Sequence, residues 1–421
     1  MLNIPKLQEH DCTILQGLAL QIARIANDPI NGERAVLWRQ LNDLKSVRPL
    51  VFINEIPWHE MNVDNELTIQ TSHPWAQEME TWFRRTIYQW RHMPADMIVD
   101  KYISSGLVVH DTGFGICEDV DVVKTDENND VVSRHFNRQI VEPEDIDKIK
   151  MPMITHDTDA TNERYHCMGE LFGNIMPVHK AGFKHIWFTP WDNIIRWWGV
   201  QEAMMDLVMR PEMVNAIVSR FVDACLCQLE QYERLNLLSL NNDNTRIGSG
   251  GYGYTNLLPS HQFDARHINP ADMWGCSNAQ IFAGVSPEMH WEFALRHEMR
   301  WLEKWGATYY GCCEPLDIKM EILHKIPNLR KISMSPWVNI ERAVKQVGES
   351  YVFSYKPNPA IFAESSWNPQ QIRSDLRAFL DKSTGCHIEI VMKDISTVQY
   401  QPQRLWDWEK IVMEEVSKYA A

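Results

Sequence analysis

Short runs of β-branched and aromatic residues alternate with long amphipathic stretches along this chain, and that alternation limits the folds open to it. Residues 48–54, 185–188, 237–240, 307–310, 329–333, 351–354 and 387–392 read as strands. Between them lie helical patterns. From Pro211 to Arg234 apolar residues fall at Met213, Ile217, Phe221, Val222 and Cys225, a stripe with helical period. Ser286-Pro-Glu opens another helix, with Ser at the N-cap and Pro at the first helical position, and Gly306 stops it after Trp305. Strands that alternate with such helices pair in parallel through crossover connections. Seven or eight repeats predict an α/β fold closed into a (β/α)8 barrel. It would form a single domain over residues 1–421, with residues 1–45 as an N-terminal helical segment.

Charge and cysteine usage narrow the class. Lys and Arg number 41 against 56 Asp and Glu, a formal net charge of −15. An acidic chain is a poor partner for nucleic acid or an anionic membrane. Nine scattered Cys form no disulfide framework. The first twenty residues lack a basic segment followed by an apolar run, and no apolar stretch approaches the roughly 20 residues of a membrane span. A cytoplasmic location is the expectation. The 17 Trp and 20 Met are an unusual feature; most are expected to fill the core, and the remainder to wall a pocket for a flat, apolar ligand.

The strand ends carry the chemistry. Asn54-Glu55, Asp192, Asn242-Asp243, Cys312-Cys313-Glu314, Lys356 and Lys393-Asp394 all follow predicted strands. In a barrel those ends converge on one mouth, where active sites sit. Other signals carry less. Gly248-Ser-Gly-Gly-Tyr-Gly253 matches the dinucleotide fingerprint, but no helix follows it, so a mobile loop over the mouth is expected. Cys225 and Cys227 read as packed thiols. His290 and His297 share a face of their predicted helix, as ordinary exposed histidines. Glu288 and Glu303 on that helix stand roughly 22 Å apart, too far to share a metal.

Four segments taken together resemble the uroporphyrinogen decarboxylase-like superfamily: Tyr309-Tyr-Gly-Cys-Cys-Glu-Pro-Leu316, Leu329-Arg-Lys-Ile-Ser-Met-Ser-Pro-Trp337, Tyr355-Lys-Pro-Asn-Pro359 and Ile390-Val-Met-Lys-Asp-Ile-Ser-Thr397. The resemblance covers residues 170–415 well and the first third poorly. Within the superfamily the chain is most similar to the corrinoid-dependent methyltransferases, in particular the methyltransferase I components of veratrol-type aryl methyl ether O-demethylases. The resemblance implies a TIM-like barrel with an N-terminal helical extension. It also implies methyl transfer from a small methylated substrate to the Co(I) corrinoid of a partner protein. The N-terminal Arg-rich segment of the true decarboxylases is replaced by Asn54-Glu55-Ile-Pro-Trp58-His-Glu60, which suits a polycarboxylate badly. No Asp-x-His-x-x-Gly motif is present, so cobalamin is expected on a partner rather than on this chain.

The zinc methyltransferases of that superfamily use His-x-Cys at one strand end and a Cys at the last strand. In register, Cys312-x-Glu314 falls on the first motif and Asp394 near the final Cys, so the resemblance implies zinc held by Cys312, Glu314 and Asp394. The competing reading of Cys312 and Cys313 is a pair of packed strand-end thiols. Glu55, Asp243 and Lys356 are the catalytic candidates. Trp58, Trp187, Trp191, Asn242 and Tyr310 are the substrate-binding ones, with the rings sandwiching a flat substrate. A methyl donor, a corrinoid-binding protein and a second copy in a homodimer are the expected partners. Two alternatives stay open: a decarboxylase or lyase acting on a small carboxylated substrate, and a non-enzymatic tetrapyrrole-binding carrier.

Overall fold

In the computed structural model the amphipathic stretch becomes the helix Pro211–Arg234, buried along Met213, Ile217, Phe221, Val222 and Cys225. Residues 7–124 and 132–419 are described. Twelve strands are found among them: β1 (Leu50–Ile53), β2 (Ile103–Gly106), β3 (Val109–Asp111), β4 (Val120–Val123), β5 (Ser133–Phe136), β6 (Ile154–His156), β7 (Val178–Ala181), β8 (Trp274–Ser277), β9 (Ala307–Tyr310), β10 (Leu329–Met334), β11 (Val352–Tyr355) and β12 (His387–Met392). The chain divides into two compact units. One comprises residues up to 108, 157–182 and 357 onward; the other comprises 109–156 and 183–356.

In the first unit β1 and β12 pair in parallel, from Leu50↔Glu389 to Ile53↔Met392, and β2 pairs in parallel with β7. The N-terminal segment folds as the helices Glu9–Ala26 and Ile30–Asn42. Leu15, Ile22, Phe83, Ile103, Phe172 and Met176 form its apolar core. Each such side chain stabilises the fold by about 1.5–3 kcal/mol when fully buried.

In the second unit β8, β9, β10 and β11 lie side by side in parallel, with one register shift between Leu329 and Lys331. β3 pairs with β6 and β4 with β5, both antiparallel. The expected strands 185–188 and 237–240 are not continuous ladders. A single parallel bridge joins Phe183 to Leu238, with Phe183 N donating to Leu237 O (2.7 Å) and Ser239 N to Phe183 O (3.0 Å). Beyond that bridge a side chain takes over from the backbone. The Asn241 amide donates to Lys184 O (2.7 Å) and Trp274 O (2.9 Å), while its oxygen accepts from Trp274 N (2.9 Å). One buried Asn thus ties 183–184, its own segment and β8 together. The α/β class and the parallel pairing are as expected from the sequence. A closed ring of eight strands is not seen among the described residues, because this side-chain bonding replaces ladder pairing at two of the expected positions. No described helix is long and apolar enough to cross a membrane.

The expected helix from Ser286 runs without a gap from Pro287 to Leu302, with a π turn inside it. Ser286 caps Pro287–His290 by accepting from Met289 N (3.2 Å), Trp291–Leu295 is a π turn, and Arg296–Leu302 resumes as α-helix. A π turn inserts one extra residue and shifts the helical phase. Position 298, rather than 297, therefore shares a face with 290.

Replacing Asn241 by Leu leaves Trp274 N–H, Trp274 O and Lys184 O without this partner. Each buried unsatisfied group costs about 1–3 kcal/mol. Asn241→Leu is expected to lower unfolding stability by about 3 kcal/mol or more in urea titration; a loss under about 1 kcal/mol would show that the amide is not what joins these segments.

Candidate functional site

The Gly-rich stretch after Asn241 is a buried plug, which corrects the expectation of a mobile loop. Residues 247–253 are all buried. Ser249 Oγ donates to Gly311 O (3.1 Å) and meets Tyr309 Oη at 3.0 Å. The buried Lys331 on β10 donates to Tyr252 O (3.1 Å), and Trp274 Nε1 donates to Gly253 O (2.8 Å). Glycine is required where the plug meets its walls. A Cβ on Gly253 would stand 2.1 Å from Asn241 O, and one on Gly248, where φ is +54°, would stand 2.5 Å from the Tyr309 ring. The glycines serve close packing rather than motion.

Lys356, at the end of β11, is buried and donates to Tyr309 Oη (2.8 Å) and to Ser354 Oγ and O (both 3.3 Å). Tyr309 Oη in turn donates to Ser354 Oγ (3.0 Å). Lys356 therefore fixes the hydroxyl cluster under the plug. Gly248 N donates to His185 Nε2 (2.8 Å), which leaves that nitrogen an acceptor and the ring neutral. Burial, with Arg246 adding, holds the His185 pKa down to about 4. Cys276 Sγ lies 3.7 Å from the same nitrogen, its thiol pushed up to about 12 by burial.

A second buried chain runs through Tyr310. Lys319 Nζ donates to His290 Nδ1 (3.1 Å), His290 Nε2 meets Tyr310 Oη (2.7 Å), and Tyr310 Oη donates to Glu298 (3.0 Å). With Lys319 charged, all three donors point one way, toward Glu298. Burial raises Glu298 to about 8, helped by the nearby Glu314 and Asp192, so it is a neutral acid at pH 7. Burial lowers Lys319 to about 8 and His290 to about 3. His290 and His297 are not exposed histidines. His290 is fully buried in this chain, and His297 is buried with Nε2 2.9 Å from Asn215 Oδ1. The sequence reads His290 as an exposed helical histidine and gives Glu298 no role, and Lys319 comes from a separate segment that helical spacing does not relate to them. The one available signal was the set His290, His297 and Glu298 on a single helix.

The other expected site residues divide as follows. Asp243 pairs with Lys184 at 2.5 Å, both about a quarter exposed, and accepts from Thr245 N and Oγ1 (2.9 and 2.6 Å). Asn242 donates to Leu258 O (2.8 Å). Trp187 is 45% exposed and stacks on His185 at 6.0 Å. Trp191 is fully buried, packs on Phe282 and donates to Phe293 O (2.9 Å), so it is a core residue rather than a pocket wall. Tyr310 is likewise wholly buried. Both rings lie on the inner face of their elements, where packing rather than ligand claims them. In the first unit Lys393 bridges Glu55 (3.5 Å) and Asp394 (3.0 Å), and Asp394 N donates to Glu55 (3.2 Å). Trp58 stands edge-on to Tyr88, with Arg85 over its ring at 5.1 Å.

The expected zinc ligands do not present themselves as a donor set. Glu314 is wholly buried and spends its oxygens on the N–H groups of Cys312 (2.8 Å) and Ala279 (3.4 Å). Among the described residues no group of three His, Cys, Asp or Glu side chains is placed to hold a metal ion. A cavity of about 340 Å³ in the first unit is lined by Ser46, Pro49, Leu380, Gly385, His387 and Tyr419. It lies at the N-terminal ends of β1 and β12, the opposite ends from Glu55 and Asp394.

Because Glu298 keeps its proton in the fold to about pH 8 but loses it near 4.5 when unfolded, its contribution is fully present below pH 4.5 and is lost as pH rises through 8. Glu298→Gln removes that loss. Its stability relative to the native chain is expected to climb between pH 5 and 8, by at most about 1.4 kcal/mol per pH unit, and then level off. A pH-independent difference in urea midpoints would show that Glu298 is ionised in the fold.

No protein-family model matches the chain, and no curated protein matches it in sequence. Among solved structures, a methyltransferase from Methanosarcina mazei superposes with a TM-score of 0.50 over 91% of this chain and 98% of that one, at 9% sequence identity. At that identity the likeness establishes a shared α/β fold.

Proposed function

We propose that this chain is a methyltransferase that takes the methyl group of a small, flat substrate, an aryl methyl ether, and delivers it to the Co(I) corrinoid of a partner protein. One observation carries the reading: the short stretch 184–187 carries both an exposed aromatic ring and a paired cation. Trp187 is exposed and backed by His185, while Lys184 is tied to Asp243. A flat ring suits the first, and the negative charge that grows on a departing phenolate oxygen suits the second. The fold shared with a methyltransferase and the four family-like segments support the same class.

Co(I) is a strong nucleophile, so the chain's task is to orient the methyl group and stabilise the leaving oxygen. Lys184 is assigned to that oxygen, with Asp243 holding the ammonium in place. Lys356 and Tyr309 fix the plug against which the stretch 183–188 rests. No step is routed through zinc, because the carboxylate of Glu314 is already taken by backbone amides.

The test mixes the chain, a reduced corrinoid protein and a dimethoxybenzene. Loss of the Co(I) spectrum with stoichiometric release of the phenol is expected, and Lys184→Met should slow turnover about 100-fold, the scale of one lost electrostatic partner. Turnover with a methylamine or methanol alone would discard the aryl ether. No turnover with any methyl donor, beside CO2 release from a carboxylated substrate, would replace methyl transfer by the decarboxylase reading.

A further inference from the structure

Cys312 and Cys313 follow β9 directly, and their sulfurs lie 3.5 Å apart. The backbone around them is fixed on both sides of the first residue: Cys312 N donates to Glu314 (2.8 Å), and Ser333 Oγ donates to Cys312 O (2.5 Å). Cys312 is buried, while Cys313 is half-buried and open to a small reagent. The neighbouring thiol, Cys276, is turned toward His185 Nε2 and Ile186 O, both 3.7 Å from its sulfur. Cys225 and Cys227 sit two apart on the helix Pro211–Arg234, where successive side chains diverge. The 312–313 pair therefore combines close sulfurs, a held backbone and one reachable member.

We propose that Cys312 and Cys313 form a peroxide-sensitive dithiol that closes to a vicinal disulfide, a modification site independent of the reaction proposed above. The Cys313 thiolate attacks one peroxide oxygen. The O–O bond breaks, the second oxygen leaves as water after taking a proton, and Cys313 becomes a sulfenic acid. Cys312 then attacks the Cys313 sulfur, the S–O bond breaks, and a second water leaves. Two thiols lose two electrons and two protons, and one peroxide becomes two waters. The sulfurs move from 3.5 Å to bonding distance, about 2.05 Å, which pulls on the peptide that Glu314 and Ser333 hold.

The experiment treats the full chain with one equivalent of hydrogen peroxide, then alkylates the remaining thiols and maps the peptides. The 312–313 peptide is expected to lose both alkylation sites first and to regain them after dithiothreitol. Cys312→Ser should instead leave a sulfenic acid on Cys313 that a dimedone probe captures. Earlier loss at other cysteines, a cross-linked peptide joining Cys276 to Cys312, or a 312–313 peptide that stays fully alkylated would each overturn the proposal.

Discussion

A single buried amide, Asn241, does the work of a strand ladder in the second unit. Its three hydrogen bonds, to Lys184 O, Trp274 O and Trp274 N, join segments that share only one backbone bridge. A buried side chain that satisfies both a donor and an acceptor of a neighbouring strand is stabilising mainly because removing it strands those groups. The placement of everything after it follows. Gly253 packs on Asn241 O, Gly253 N returns to Asp243 O (3.1 Å), and the intervening residues are thereby folded inward as a plug. Asp243 and Lys184 flank the same joint, so the ion pair at the strand ends is positioned by the residue that completes the sheet.

Under the plug, charge and hydroxyl groups are arranged in two separate sets. Lys356, Tyr309, Ser354 and Ser249 satisfy one another and pin the glycines. Lys319, His290, Tyr310 and Glu298 form the other, in which burial favours the neutral forms of the acid and the imidazole. A buried polar network is costly unless its members are mutually satisfied. The first set is mutually satisfied and holds the plug in place, whereas Glu298 Oε1 in the second is buried without a hydrogen-bond partner.

Much of this was legible in the sequence. The strands at 307–310, 329–334, 352–355 and 387–392 and the helix Pro211–Arg234 follow from β-branched runs and helical period, since their burial is set by the same residues that give the pattern. The segments 185–188 and 237–240 read as strands because they are rich in apolar and aromatic residues, yet their joining depends on one Asn that no periodicity marks. The Gly248–Gly253 stretch read as mobile because glycine content signals freedom; burial against Tyr309, Lys331 and Trp274 is a tertiary fact. The pairing of His290 with Glu298 is hidden by the π turn, which changes which positions share a face. At the strand ends the residue types at Asp243, Lys356 and Cys312-Cys313 were visible, whereas their partners Lys184 and Tyr309 came from elements that sequence spacing does not bring together.

Native-state hydrogen exchange at the amides of Gly248, Gly253 and Trp274 tests most directly the claim that Asn241 and the plug hold the strand ends as one rigid unit. Those amides donate to His185, to Asp243 and Thr245, and to Asn241 respectively. The account predicts that all three exchange only through global unfolding, with the same denaturant dependence as the strand β9. Exchange of Gly248 and Gly253 through a low-energy local opening, while β9 stays protected, would contradict it.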